Sequence, residues 1–352
     1  MSEKEAGKKP AAPKSVAEFD WDKISDEELL NTRICDLPIA IPWTPVEGWI
    51  IEVKDELAAK GLRFSPSVYL GDEWFSPEGD PVVSIPFYLA HPRLIELEKR
   101  HVLEAEGETK EQFLKLLRHE MGHALAHAYD LVNERGYRKH FGDSAQDYPE
   151  AHHPRPYSRK FVRHLHGWYA QTHPDEDYAE TFAVWLTPGL RWRKEYRGWG
   201  ALDKLEYVDT LMRRIKDRKP KKRTGPRWRR ISTIRMTIAR LHQIKKREWA
   251  EDFPDFFDAD LRRIFVETPE SSRRQAAKFL RDHRPLLVST ISRWTGEKRF
   301  TIHDLVTRFA ERSRKLRLYV PDNETLALTT TAACLTAMAT HYFLTGKFKR
   351  LR

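Results

Sequence analysis

Between Glu111 and Tyr129 the apolar positions Phe113, Leu116, Leu117, Met121, Ala124, Leu125 and Ala128 recur at intervals of three and four residues. That spacing predicts a helix packed in a core. No Pro or β-branched residue interrupts it, and Gly107-Glu108-Thr109-Lys110-Glu111 offers a polar start with acids in the first turn. A second helix is predicted over 175–186. Pro174 precedes it, Asp175, Glu176 and Asp177 fill its first turn, and Pro188-Gly189 ends it. Its residues Tyr178, Phe182, Ala183, Trp185 and Leu186 read as buried. A further amphipathic helix is predicted over 45–60, stopped by Gly61.

Strand signals are few. Residues 65–70 and 81–90 read as short strands bounded by Gly71, Gly79 and Pro92. Pro81 and Pro86 make the second an expected edge strand. The segment 190–212, with Trp192, Tyr196, Trp199 and Tyr207, is expected to wrap this half. Beyond it, Ile231, Ile234, Ile238, Leu241 and Ile244 form a helical stripe, with Arg235, Arg240, Lys245, Lys246 and Arg247 opposite. Helical patterns over 255–267, 270–282, 302–316 and 323–344 complete the chain. The fold class is therefore mixed α+β, mostly helical, with an all-helical C-terminal domain. The expected division is a tail at 1–17, a first domain at 18–215, a linker at 216–228 and a helical domain at 229–352.

Charge sharpens the linker. The formal net charge is +10. Between Arg213 and Arg230 eleven Lys or Arg face one acid, Asp217, so the basicity is local. With Pro220, Gly225 and Pro226 the segment reads as a flexible basic linker. Together with the basic helix face, residues 213–247 are a candidate surface for an anionic partner such as nucleic acid. The charged start lacks an apolar core, so no signal peptide is expected. Leu326–Leu344 lacks Lys, Arg, Asp and Glu but is rich in Thr and Ala, which favours a buried helix over a membrane span. Two distant cysteines, Cys35 and Cys334, form no disulfide framework, and a cytoplasmic location is expected.

Candidate chemistry centres on His119-Glu120-Met121-Gly122-His123. Positions i and i+4 share a helix face, so both imidazoles can reach one ion while Glu120 holds a water. Two ligands are too few, because a catalytic zinc site takes three. The class with a third His ten residues after the first is excluded, since Tyr129 stands there and Ala126 replaces the required Gly. His127 would place three ligands on three turns of one helix and is expected either to support the ligands from behind or to be packed. Glu176 and Glu180 lie one turn apart beside apolar residues, where buried acids need a cation or donors. The natural assignment puts Glu176 on the metal and Glu180 on the far N–H of a ligating His. The reverse assignment remains open from sequence. His140, His152, His153, His164, His166 and His173 match no standard zinc spacing, and His166 and His173 are candidates for a substrate cleft.

HExxH followed by Glu176-Asp177-Tyr178-Ala179-Glu180 resembles the gluzincin pattern, above all an uncharacterised bacterial group of zinc-binding metallopeptidases. It is more distantly similar to the Mlc titration factor and anthrax lethal factor peptidases. The resemblance implies a zincin-like catalytic domain with a small sheet, a Zn²⁺ cofactor and hydrolysis of protein or peptide substrates. It implies Glu120 as general base, and gives Tyr169, seven residues before Glu176, the role of oxyanion donor. By fold analogy, the edge strand either pairs with extended substrate or only shields the core. The competing expectation is a catalytically silent zincin scaffold whose basic C-terminal half binds nucleic acid.

Overall fold

The computed structural model describes residues 19–149, 152–249, 257–267 and 273–345. The expected tail at 1–17 and parts of the expected helices 255–267 and 270–282 lie outside them. The architecture is α+β and mostly helical, with a single two-stranded parallel sheet among the described residues. Strands β1 (Ser67–Gly71) and β2 (Val82–Pro86) pair in register from Ser67↔Val82 to Gly71↔Pro86.

Two buried clusters divide the described residues. The first runs from Leu29 to Leu241 and holds both predicted central helices. The HExxH helix spans Lys110–Tyr129. The Thr109 side chain accepts from the Gln112 amide at 3.3 Å, satisfying one orphan donor of the first turn. Asp130, in the left-handed conformation, ends it. The acidic helix spans Pro174–Leu186, with Pro174 in the first turn and His173 accepting from the Asp175 amide. The predicted helix at 45–60 appears as Pro45–Ala59. From it, Glu56 grips Arg118 of the HExxH helix in a buried bidentate pair of 2.8 and 2.6 Å.

β2 is an edge of its two-stranded sheet, buried along its length, with Phe75 bridging antiparallel to Ser84. Its prolines cost no ladder bond in the middle, because Pro81 precedes the strand and Pro86 closes it. The helix expected at 270–282 instead spans Ala276–Thr295 and continues through Pro285.

A second correction concerns the basic segment 216–230, which is a fastened strap and not a free linker. Lys221 pairs with Asp130 and Arg218 with Glu134, each at 2.6 Å, while Lys222 reaches Asp80 and Arg229 reaches Asp72. The Tyr69 hydroxyl donates to the Trp228 carbonyl at 2.8 Å. Gly225 permits the close approach, since a Cβ there would stand 2.5 Å from Asp80 Cγ. Behind the strap, Ile234, Ile238 and Leu241 join the first cluster, so its packing passes the expected boundary at 215.

The second cluster, Phe257 to Ala339, is built by helices Asp258–Ile264, Ala276–Thr295, Arg299–Lys315 and Glu324–Thr345. The last of these buries only Ala327, Thr331, Leu335, Met338 and Ala339. No helix among the described residues is long and apolar enough to cross a membrane.

Candidate metal centre

The HExxH and acidic helices pack at close range because residue 122 is Gly. A Cβ there would stand 3.1 Å from both Ala179 Cα and Phe182 Cδ1. This approach sets His119 and His123 opposite Glu176 and Glu180. His119 Nε2 lies 3.0 Å from Glu176 Oε2, His123 Nε2 lies 3.2 Å from that same oxygen, and the two Nε2 atoms are 3.1 Å apart. The three atoms form a nearly equilateral triangle. Tetrahedral zinc with bonds of about 2.0–2.1 Å would span ligand–ligand edges of about 3.3 Å, so the triangle fits one face of such a site. Two imidazoles and a carboxylate are also a usual donor set for catalytic zinc. Among the described residues this is the sole group of three His, Cys, Asp or Glu arranged to hold a metal ion.

The surroundings orient the triangle. His119 Nδ1–H donates to Glu180 Oε1 at 3.0 Å, so in the neutral ring Nε2 is the nitrogen left for an ion. The other Glu180 oxygen accepts the Leu165 amide at 2.8 Å. Glu176 thus faces both imidazoles, and Glu180 lies behind one ring. Without an ion, burial alone would lower the pKa of His119, but hydrogen bonds with Glu176 and Glu180 override it and lift the value to about 10. Burial likewise pushes Glu176 upward, yet the His123 and His119 imidazoles hold it well below the usual carboxylate range. Glu120 is buried beside the triangle. Desolvation raises its pKa against the pull of His119 and His123.

Two tyrosines flank the centre. The Tyr169 ring lies 5.6 Å from the His119 ring, centroid to centroid, and is 37 % exposed. Tyr148 was not foreseen. Its hydroxyl donates to Glu176 Oε1 at 2.8 Å, and its ring stacks on His173 at 4.0 Å. It sits in an irregular segment without periodicity, and no sequence signal marked it.

Several of the remaining histidines have structural partners. His127 is desolvated, with its pKa lowered to about 4, and it joins no metal group. His140 stacks on Tyr207, and His164 Nε2–H donates to the Lys115 carbonyl at 2.9 Å. His173, expected near a cleft, is instead buried as the cap of the acidic helix, with Nε2–H on the Gln146 carbonyl at 2.9 Å. His166 and His153 join no metal group.

Residues 95–188 match the family described as "Putative zinc-binding metallo-peptidase". This stretch holds the whole triangle, Glu120, Glu180 and both tyrosines. No curated protein and no solved structure matches the chain significantly, so the more distant likeness to the Mlc titration factor and anthrax lethal factor peptidases gains no support.

Proposed function

We propose that the chain is a zinc-dependent peptidase acting on protein or peptide substrates. In this reading His119, His123 and Glu176 hold the metal, Glu120 is the general base, Tyr169 is the oxyanion donor, and Glu180 fixes the His119 tautomer. The observation that carries it is the triangle of ligand atoms with a buried carboxylate beside it. A metal-holding scaffold has no use for Glu120, whereas hydrolysis does.

Zinc, when bound, supplies a Lewis acid that acidifies water to a pKa of roughly 7 and polarises a carbonyl. The chain supplies the rest. Glu120 accepts a proton as the water oxygen bonds to the scissile carbonyl carbon. It returns that proton to the amine nitrogen as the C–N bond breaks. Desolvation raises its pKa, which makes it a stronger base toward the water proton. The Tyr169 hydroxyl donates to the oxygen on which negative charge grows, an interaction worth about 3 kcal/mol in comparable sites.

The test uses protein purified without chelators, its zinc measured by metal analysis and its activity on casein and peptide libraries. Glu120→Gln is expected to keep zinc and lose roughly 10²–10⁴ in rate. His123→Ala is expected to lose zinc. Zinc-free wild-type protein, or equal activity in wild type and Glu120→Gln, would refute the reading.

A further inference from the structure

The loop that carries Tyr169 is gripped from two sides. On the inner side, the Leu165 amide donates to Glu180 and His164 donates to the HExxH helix at Lys115. Two successive left-handed residues follow, Gly167 at φ 72° and Trp168 at φ 52°. For Gly167 that conformation is free, but for a residue as bulky as Trp it is unfavourable and persists only where the surroundings enforce it. It turns the chain so that Tyr169 lies against His119.

The outer grip comes from the C-terminal helical unit. The Phe343 ring, on the helix Glu324–Thr345, stands 3.3 Å from where a Gly167 Cβ would be. It lies 6.2 Å from the Trp168 ring and 6.1 Å from the His152 ring, centroid to centroid. His152 Nε2–H in turn donates to the Gly167 carbonyl at 2.8 Å. From the end of the helix Ala276–Thr295, Gly296 faces the Gly167 amide, with its Cβ position 3.8 Å away. Phe343 belongs to neither buried cluster, so the contact serves the loop and not the core of its own unit.

We propose that Phe343 is a positioning residue for the Tyr169 loop, and that the C-terminal helical unit thereby braces the candidate metal centre. The brace acts on the strained turn at Gly167 and Trp168. From there it reaches the centre through Tyr169, whose ring lies against His119. Its catalytic consequence rests on the peptidase reading. Its structural consequence does not.

The experiment therefore has two arms on the full chain. Amide hydrogen exchange compares wild type with Phe343→Ala and with the milder Phe343→Leu. Faster exchange over 165–169, with 113–125 unchanged, is expected in Phe343→Ala and to a lesser degree in Phe343→Leu. In the kinetic arm, Phe343→Ala is expected to lower kcat by roughly ten- to a hundredfold with KM little changed, since a displacement near 1 Å can cost that much. Phe343→Ala combined with Tyr169→Phe is expected to be no slower than Tyr169→Phe alone, because both act through one hydroxyl. Unchanged exchange at 165–169 or additive kinetic losses would overturn the proposal. A wild type without peptidase activity would refute the functional reading and leave the exchange arm to decide the brace.

Discussion

Glu180→Gln separates a carboxylate that merely fills space from one that fixes a ligand's tautomer. Both Glu180 oxygens accept: Oε1 from His119 Nδ1–H at 3.0 Å and Oε2 from the Leu165 amide at 2.8 Å. Glutamine has nearly the same shape but a single acceptor oxygen, and both partners are donors. One of them must then face an NH₂ group in a site where Glu180 is 1 % exposed. If the amide oxygen stays on Leu165, His119 moves its proton to Nε2, where it blocks the lone pair needed for the metal. If it turns to His119, the Leu165 amide is orphaned and the loop carrying Tyr169 loosens. Carboxylates behind metal-bound histidines are typically worth 10–100-fold in metal affinity, or about 1.4–2.8 kcal/mol. The expected outcome is a zinc Kd raised by that factor, measured by competition with a chromophoric chelator at fixed pH. A Kd within about threefold of wild type, with an unchanged melting temperature, would refute the assigned role of Glu180.

Three further outcomes follow from the same geometry. Ligation needs neutral His119, whose pKa without metal is about 10, so near pH 7.5 zinc uptake should release about one proton from this residue and apparent affinity should rise with pH toward 10; calorimetry in buffers of different ionisation enthalpy measures it, and release independent of pH from 7 to 11 would contradict it. Tyr148→Phe removes the donor to Glu176 Oε1 and should weaken zinc binding by about tenfold with little effect on stability, because Tyr148 is 53 % exposed; unchanged affinity by chelator competition would count against it. Glu56→Ala strands the buried Arg118 guanidinium and should cost about 3–5 kcal/mol, seen as a Tm drop of about 10 °C; a drop below about 3 °C would show that water or another acid takes over.

What could be read from the sequence was what repeats locally. The HExxH helix was legible because its apolar positions keep one period for five turns, and Glu176 and Glu180 because two acids one turn apart on an apolar helix demand a partner. Which carboxylate faces both imidazoles was not legible. Both satisfy the spacing, and the choice depends on where the Leu165 amide arrives from a loop with no periodicity. Tyr148 stayed hidden for the same reason. The strap misled because a run of Lys and Arg looks the same whether it is solvated or paired. Its acids, Asp72, Asp80, Asp130 and Glu134, lie far away in sequence and carry no mark of their role.

Gly122 joins these two kinds of information. In the sequence it is one of the two unspecified positions of HExxH, and as a helix interior it is a poor choice, costing roughly 1 kcal/mol relative to Ala. In the fold it is where the acidic helix touches the motif, with Ala179 and Phe182 at the 3.1 Å limit of approach. The ligand triangle has edges of 3.0–3.2 Å, already close to those of a zinc tetrahedron, so it leaves little room for the helices to part. The unfavourable residue within the helix is thus what permits the separation that makes the centre. The motif's ability to recruit Glu176 comes from this packing contact as much as from its histidines.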